Sequence, residues 1–369
     1  MSPTDHFGGR SPHAGDIDFD GVSEAICRCV DFLVEKQLPT GEFATFLGHD
    51  RNLAGRIHDS SPFITAHVLH ALRRVNQPGI AEMARKAIVY LKSEKEMGGV
   101  WRYYSKRQWK HCRIPPDLDD TACASHALRL YGETAPRNEW IFQSCRNEEG
   151  LYLTWIEPRE KRSLLSRLWW VRSLGEWVAK RETPSKPESM LGVERFQLES
   201  DAVPLTDCDP VVNANVLLYL GDQPDTLPIV AYLENVIKNG PPDRYSLYYH
   251  NPISLFYTVS RAYASGATSL KALGTMILEK TEAIQQMDGS WGGPLYTAMG
   301  VSVLLSFSGD QTKIEKGVAQ LLSRQSKDGS WRAEAFYSGP AEFWGCEELT
   351  SATVIEALNR FTEDGGLNR

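Results

Sequence analysis

The chain has 369 residues, of which 42% are hydrophobic and 24% charged, and a formal net charge of -7 at pH 7. That balance suits one large core in a soluble enzyme and gives no global pull toward polyanions, which argues against a nucleic-acid binder or a membrane span. Seven cysteines, an odd number that includes Cys27 and Cys123 in apolar stretches, point to reduced thiols and a cytoplasmic location.

Residues 1–20 are polar, rich in Gly, Pro, His and Asp, and read as a loose arm without a hydrophobic leader. From residue 21 onward amphipathic stretches alternate with apolar ones, joined by short turns such as Gly41-Glu42-Phe43, Gly99-Val100-Trp101 and Gly150-Leu151-Tyr152. The apolar stretches resemble one another: Thr65-Ala66 with Ala71-Leu72, Thr121-Ala122 with Ala127-Leu128, Asn213-Ala214 with Tyr219-Leu220, Thr297-Ala298 with Val303-Leu304, and Ser351-Ala352 with Ala357-Leu358. A unit at 252–264 keeps the apolar helix and lacks the turn. Near the C-terminus the turn is fullest, as Gln285-Gln286-Met287-Asp288-Gly289-Ser290-Trp291 and again as Gln325-Ser326-Lys327-Asp328-Gly329-Ser330-Trp331. Gly permits the sharp turn, Gln can bond orphan backbone groups of a neighbouring helix end, and Trp plugs the seam. Six helix-turn-helix units at spacings of about 40–55 residues, with one wider gap, signal a repeat architecture. The expected fold is all-α, an (α/α)6 barrel spanning 21–362, with apolar inner helices, amphipathic outer ones and a short tail at 363–369.

The wider gap, residues 156–206, is too long for an ordinary connection. Its segment 164–178 is aromatic-rich and amphipathic, and Lys161, Arg162 and Lys180 flank it. Two readings fit: a helix that caps the barrel, or one that lies in a membrane interface.

The chemistry concentrates in Asp117-Leu118-Asp119-Asp120, after Pro115-Pro116 and directly before the apolar stretch 121–128. Asp is a good N-cap, and capping alone accounts for one or two of these acids. Three carboxyl groups at the mouth of a buried helix should not all ionise, so at least one keeps its proton and can act as a Brønsted acid. Just upstream lies a basic run, Arg102, Lys106, Arg107, Lys110, His111 and Arg113, which reads either as a phosphate-binding patch or as a solvated loop.

An Asp-x-Asp-Asp-Thr-Ala motif on an inner helix, together with Gln-x-x-Asp-Gly-Ser-Trp repeats over almost the whole chain, resembles the squalene-hopene cyclase and class II terpene cyclase superfamily. The resemblance implies that Asp119 is the general acid that protonates an alkene or epoxide of a linear isoprenoid, with Asp117 and Asp120 as the flanking carboxylates that hold and tune its proton. Phe63, Tyr257, Tyr296 and Trp344, aligned with the inner-helix ends, are the expected cavity wall, because aromatic faces stabilise a cation. Two-barrel members place the cavity between barrels, whereas this length suffices for one, so a smaller substrate or a completing partner is implied. The first choice is a C15 or C20 prenyl diphosphate, held by Lys106, Arg107, Lys110 and Arg113, with Mg²⁺ needed only to bridge its phosphates. The related protein prenyltransferase β subunits bind Zn at inner-helix ends; here Asp207 and Cys208 are adjacent, without the Asp-x-Cys spacing of that site, and His250 and Cys208 read as packed residues rather than metal ligands. The competing class is a non-catalytic or differently catalytic toroid, one that binds an isoprenoid or a protein partner, or a protein similar to the protein prenyltransferase β subunits.

Overall fold

The structure is a computed structural model that describes residues 17–111, 114–156, 206–241, 245–339 and 342–367. Arg113 and the segment 164–178 lie outside the described residues.

Helices of two kinds alternate along the chain. One set comprises α1 (Phe19–Lys36), α3 (Ile80–Glu94), α5 (Glu139–Ser144), α7 (Leu227–Asn239), α9 (Gly274–Ala283) and α11 (Gln311–Ser323). Its longer members bury one stripe, such as Ile314, Gly317, Val318 and Leu321 of α11, and leave the rest to water. The other set comprises α2 (Pro62–Leu72), α4 (Leu118–Leu130), α6 (Pro210–Leu220), α8 (Pro252–Ala264), α10 (Pro294–Phe307) and α12 (Glu347–Leu367). In α2 and α6 all residues but the last-turn His70 and Leu220 are buried. Pro opens four of these helices, where its missing N–H leaves no bond unmade. Each helix of the buried set packs on the next, α2 on α4, then α6, α8, α10 and α12, and α12 packs on α2, so the six form a closed ring. The last of them, α12, runs to Leu367, past the expected boundary at 362.

The all-α expectation omits a small antiparallel sheet of order β2-β1-β4-β3, made of β1 (Thr45–Gly48), β2 (Ile57–Asp59), β3 (Tyr337–Ser338) and β4 (Phe343–Gly345). It joins the loop after α1 to the loop before α12, pairing Leu47 with Trp344 across the point where ring ends meet. Strands of two to four residues are too short to show a period-2 pattern in the sequence.

The turn motifs act as staples. Gln285 Nε2 donates to Gly289 O and, across the seam, to Lys313 O of α11, both at 2.9 Å. Gln325 Nε2 donates likewise to Gly329 O at 2.9 Å and to Ala25 O of α1 at 2.8 Å, linking residues 300 apart in sequence. Gly is required at both turns, because a Cβ would stand 2.7 Å from Lys316 at position 289 and 2.3 Å from Arg28 O at position 329, each with φ near +90°. The next side chains, Trp291 and Trp331, send their indole N–H to Thr281 O at 2.8 Å and Leu321 O at 2.7 Å. One more bond recurs in five units: the backbone N–H of Phe43, Trp101, Tyr152, Trp291 and Trp331 donates to Thr65, Thr121, Asn213, Thr297 and Ser351 on the buried helices. The recurring Thr, Asn or Ser of the apolar stretches is therefore the docking point of each turn.

Trp331 is fully buried at the seam that closes the ring. Trp331→Ala is expected to destabilise the fold by about 3–5 kcal/mol in urea titration, with Gln325→Ala costing about 1–3 kcal/mol through its two lost bonds. Losses below about 1 kcal/mol for both would show that closure does not depend on this staple.

Candidate active site

The N-terminal ends of the buried helices carry the polar groups of interest. Repeat alignment makes Ser61, Asp117 and Asp209 equivalent, and each is an N-cap: Ser61 Oγ accepts from Phe63 N, Asp117 from Asp120 N, and Asp209 from Val211 N and Val212 N. Capping thus accounts for Asp117 and gives each helix about 1 kcal/mol. It does not account for Asp119, whose counterpart in α6 is Val211.

Asp119 stands at the second position of α4, partly accessible, because it faces a cavity. Its Oδ1 accepts from Asn215 Nδ2 of α6 at 2.7 Å, and its Oδ2 accepts from the Tyr249 hydroxyl at 2.5 Å. Burial, with the nearby Asp117 second, pushes the Asp119 carboxyl up to about 7, against the opposing pull of Tyr249, Asn215 and, more weakly, Arg261. Asp117 is pushed up to about 6 by burial. Asp120 is driven well above the ordinary range by burial and the Asp117 charge; it holds the proton of this pair, and its Oδ2 has no protein partner. Near neutral pH, therefore, the cluster keeps protons in a nearly dry site, and Asp119 alone combines a retained proton with donors to both oxygens that stabilise its anion.

The cavity above Asp119 measures about 130 Å³ and is lined almost wholly by apolar and aromatic groups. Its aromatic lining consists of Phe63 of α2, Trp155 with Tyr248 and Tyr249, Tyr103 with Tyr104, and Tyr337 with Trp344 of the sheet. Trp155 is brought there by a bridge to Asp117, reinforced by Leu118 N donating to Thr154 O at 2.9 Å. On the sheet side Tyr337 stacks on Trp344 with centroids 5.6 Å apart, and Tyr103 meets both rings edge-on.

Phe63 and Trp344, two of the four expected wall residues, line this cavity; Tyr257 and Tyr296 do not. Tyr257 is buried deeper in the ring, its hydroxyl donating to Glu356 Oε2 at 2.6 Å. Tyr296 donates to Ala335 O and lies 3.2 Å from His250 Nε2, serving the loop before β3. The basic run does not converge on the cavity either. Lys106 Nζ caps α3 through Ser93 O at 2.6 Å and Lys95 O at 2.9 Å, Arg102 pairs with Glu96 at 2.7 Å, and Arg107 is exposed. Lys110 stands 3.9 Å from Asp59 and 5.1 Å over the Tyr104 ring. Cys208 contacts Asn147 at 3.5 Å, and among the described residues no group of three or more His, Cys, Asp or Glu side chains could hold a metal ion.

Within the ring beyond Asp119 lies a buried polar set that the sequence reading did not single out. Arg261 Nη1 donates to His67 Nδ1 at 3.0 Å, which fixes the other tautomer and aims Nε2–H at Cys123 Sγ, 3.6 Å away. Burial and the Arg261 charge hold His67 well below its ordinary range, so it stays neutral and is no competing acid. Repeat alignment places His67, Cys123 and Asn215 at one level, so Asn215 was legible in principle. Tyr249, in an irregular loop 130 residues from its partner, carried no such signal.

The ring of helices is a fold shared with solved structures that include a terpene cyclase. A crystal structure of a protein from Actinoplanes is similar, with a TM-score of 0.68 at 17% identity, covering 92% of this chain and 99% of that one. Type II terpene cyclase MstE from Scytonema aligns with a TM-score of 0.66 at 15% identity, covering 93% of this chain and 99% of that one. A variant of MstE in complex with its product, merosterolic acid A, gives 0.68 at 16% identity, with 94% and 98% covered. At such identities the likeness is one of fold. A family model of the A-macroglobulin TED domain matches residues 17–107, and curated protein sequences give no significant match. No helix among the described residues is long and apolar enough to cross a membrane.

The shifted acid has two measurable consequences. Removing the Tyr249 hydroxyl deprives the Asp119 anion of a donor, so in Tyr249→Phe the infrared carboxyl band of Asp119 should titrate at higher pH than in the wild type; an unchanged titration would remove Tyr249 from the site. An acid whose folded pKa lies above its unfolded value contributes stability fully below about pH 4 and loses it as pH rises toward 7. Asp119→Asn should therefore match the wild type in stability near pH 4 and exceed it by about 1–3 kcal/mol at pH 8. A variant less stable at pH 8 would contradict the burial of this charge.

Proposed function

We propose that this protein is a class II terpene cyclase-like enzyme built as a single (α/α)6 toroid, in which Asp119 protonates an alkene or epoxide of a linear isoprenoid and starts carbocation cyclisation. The observation that carries the reading is Asp119 itself: a carboxyl group that capping does not require, pushed up to about 7, facing an aromatic-lined cavity. An isolated alkene is a very weak base, so its protonation needs a donor whose conjugate base is stabilised in advance and kept from water. Asn215 and Tyr249 supply that stabilisation, one to each oxygen. Asp117 raises the Asp119 pKa by its charge and caps α4, and Asp120 holds a second proton against Asp117. The cation left on the substrate then faces rings instead of water, where cation–π attraction is worth about 2 kcal/mol or more.

The substrate class in this reading is a C15 or C20 isoprenoid. A variant of MstE has been crystallised with geranylgeranyl dihydroxybenzoate as substrate, an isoprenoid joined to a hydroxylated benzoate rather than to diphosphate. That precedent, with Lys106 and Lys110 both engaged by protein groups, favours a prenylated aromatic over a prenyl diphosphate here. No step then calls on Mg²⁺.

Incubation of the purified protein with C15, C20 and C30 isoprenoids, as diphosphates and as prenylated hydroxybenzoates, followed by mass spectrometry, tests the reading. Cyclised product should form with at least one of them and fall by about three orders of magnitude or more in Asp119→Asn, with the wild-type rate declining as pH rises above about 7. Product formation retained by Asp119→Asn, or a rate that climbs through pH 9, would refute the general-acid role.

A further inference from the structure

A buried polar file runs through the ring on the side of Asp119 away from the cavity. Helices α2 and α8 stand opposite one another in the ring, yet the guanidinium of Arg261, 3% exposed, reaches from α8 to His67 of α2 at 3.0 Å. Tyr257 of α8 likewise reaches past α10 to Glu356 of α12, at 2.6 Å. Bonds between helices that are not neighbours place these side chains in the lumen. One turn further along, repeat alignment sets His70, His126, Ser302 and Glu356 at one level. There His70 Nε2 lies 4.0 Å from Glu356 Oε1, and the rings of His70 and His126 are 5.3 Å apart. None of these residues lines the cavity. His70 stands in the last turn of α2 with its side chain 10% exposed, so the file opens at the end of the ring opposite the acid.

Along this file Asn215 Oδ1, Arg261 Nε, Ser302 Oγ, His126 Nε2 and His70 Nδ1 are buried without a protein partner, and the first of them belongs to the amide that holds Asp119. Donors and acceptors gathered in one polar channel suit internal water, which donates and accepts alike. Helices that met only through apolar side chains would close the ring at less desolvation cost, so the polar lining calls for a use. We propose that the file is the proton inlet of Asp119, a hydrated path from Glu356 and His70 at the far end of the ring to the acid, separate from the substrate cavity. Once Asp119 has given its proton to the isoprenoid, the cavity side is closed by an apolar ligand, and the carboxylate regains its proton from behind. One proton enters from solvent at the mouth and one reaches Asp119; no bond to carbon changes in this step, and the proton released when the cation is quenched balances it over a turnover. Glu356 and His70 can take up and release a proton, and burial with the Arg261 charge keeps His70 neutral, so a proton passes without being trapped there. Arg261 stays charged throughout; it orients water and fixes the His67 tautomer. Glu356, His70 and Arg261 are thus positioning residues, and the inference rests on the cyclase reading, which is what makes Asp119 lose a proton in each turnover.

Hydrogen exchange tests the path without turnover. The infrared carboxyl band of Asp119, assigned by difference against Asp119→Asn, shifts when its O–H becomes O–D after transfer to D2O, and the saturated hydrocarbon farnesane fills the cavity during the measurement. The wild type should keep exchanging with farnesane bound, and Glu356→Gln should slow that exchange by about tenfold or more. His70→Leu should slow it similarly and carries the test if Glu356→Gln fails to fold. Exchange that stops in the wild type when farnesane is added, or that runs equally fast in both variants, overturns the inlet. Absence of cyclised product from the wild type would instead overturn the cyclase reading and leave the exchange result standing.

Discussion

Desolvation of the Asp119 carboxyl is the interaction on which the site depends. In water an aspartic acid has given up its proton by pH 5; beside an apolar cavity the same group holds it to about 7. The helix N-terminus and the donors Asn215 and Tyr249 act in the opposite sense, since they stabilise the anion that remains after the proton leaves. A useful acid requires both, one effect to keep the proton and the other to make its departure affordable in energy. Neither can be supplied by α4 alone, because the donors come from α6 and from the loop before α8.

That dependence explains why ring closure matters to chemistry as well as to stability. The buried helices are pressed from both sides, and their caps gather Asp117, Asp209 and Ser61 at the corresponding ends of successive helices. The Gln–Gly–Trp staples hold the outer helices at a spacing that only glycine permits at positions 289 and 329. The sheet adds a second tie where the first and last units meet, and the same strands present Tyr337 and Trp344 to the cavity. Closure and cavity wall are therefore one structure.

The distribution of charge around the cavity is uneven. Acids lie at its floor and behind its sheet wall, whereas the cations near it are bound by the protein: Arg261 by His67, Lys110 by Asp59, Arg102 by Glu96. The expected phosphate patch is dispersed: Lys106 and Arg102 bind carbonyl and carboxylate groups near the C-terminal end of α3, Lys110 faces Asp59, and Arg107 is exposed.

The repeats were legible in the sequence because they are local: period, turn residues and the apolar run of each buried helix depend on neighbours a few positions away. So was the acid motif as a cluster, in which capping accounts for one or two of the three carboxyl groups; that Asp117 is the cap came from the structure. The cavity wall was only half legible. Phe63 and Trp344 were aligned with helix ends that face the cavity, but Tyr257 and Tyr296 were turned by bonds to Glu356 and Ala335 that no spacing reveals. Tyr249 met Asp119 only when the ring closed, since the two stand 130 positions apart. Local periodicity determines which residues are buried; which buried groups meet, and so which carboxyl keeps its proton, is decided by tertiary packing.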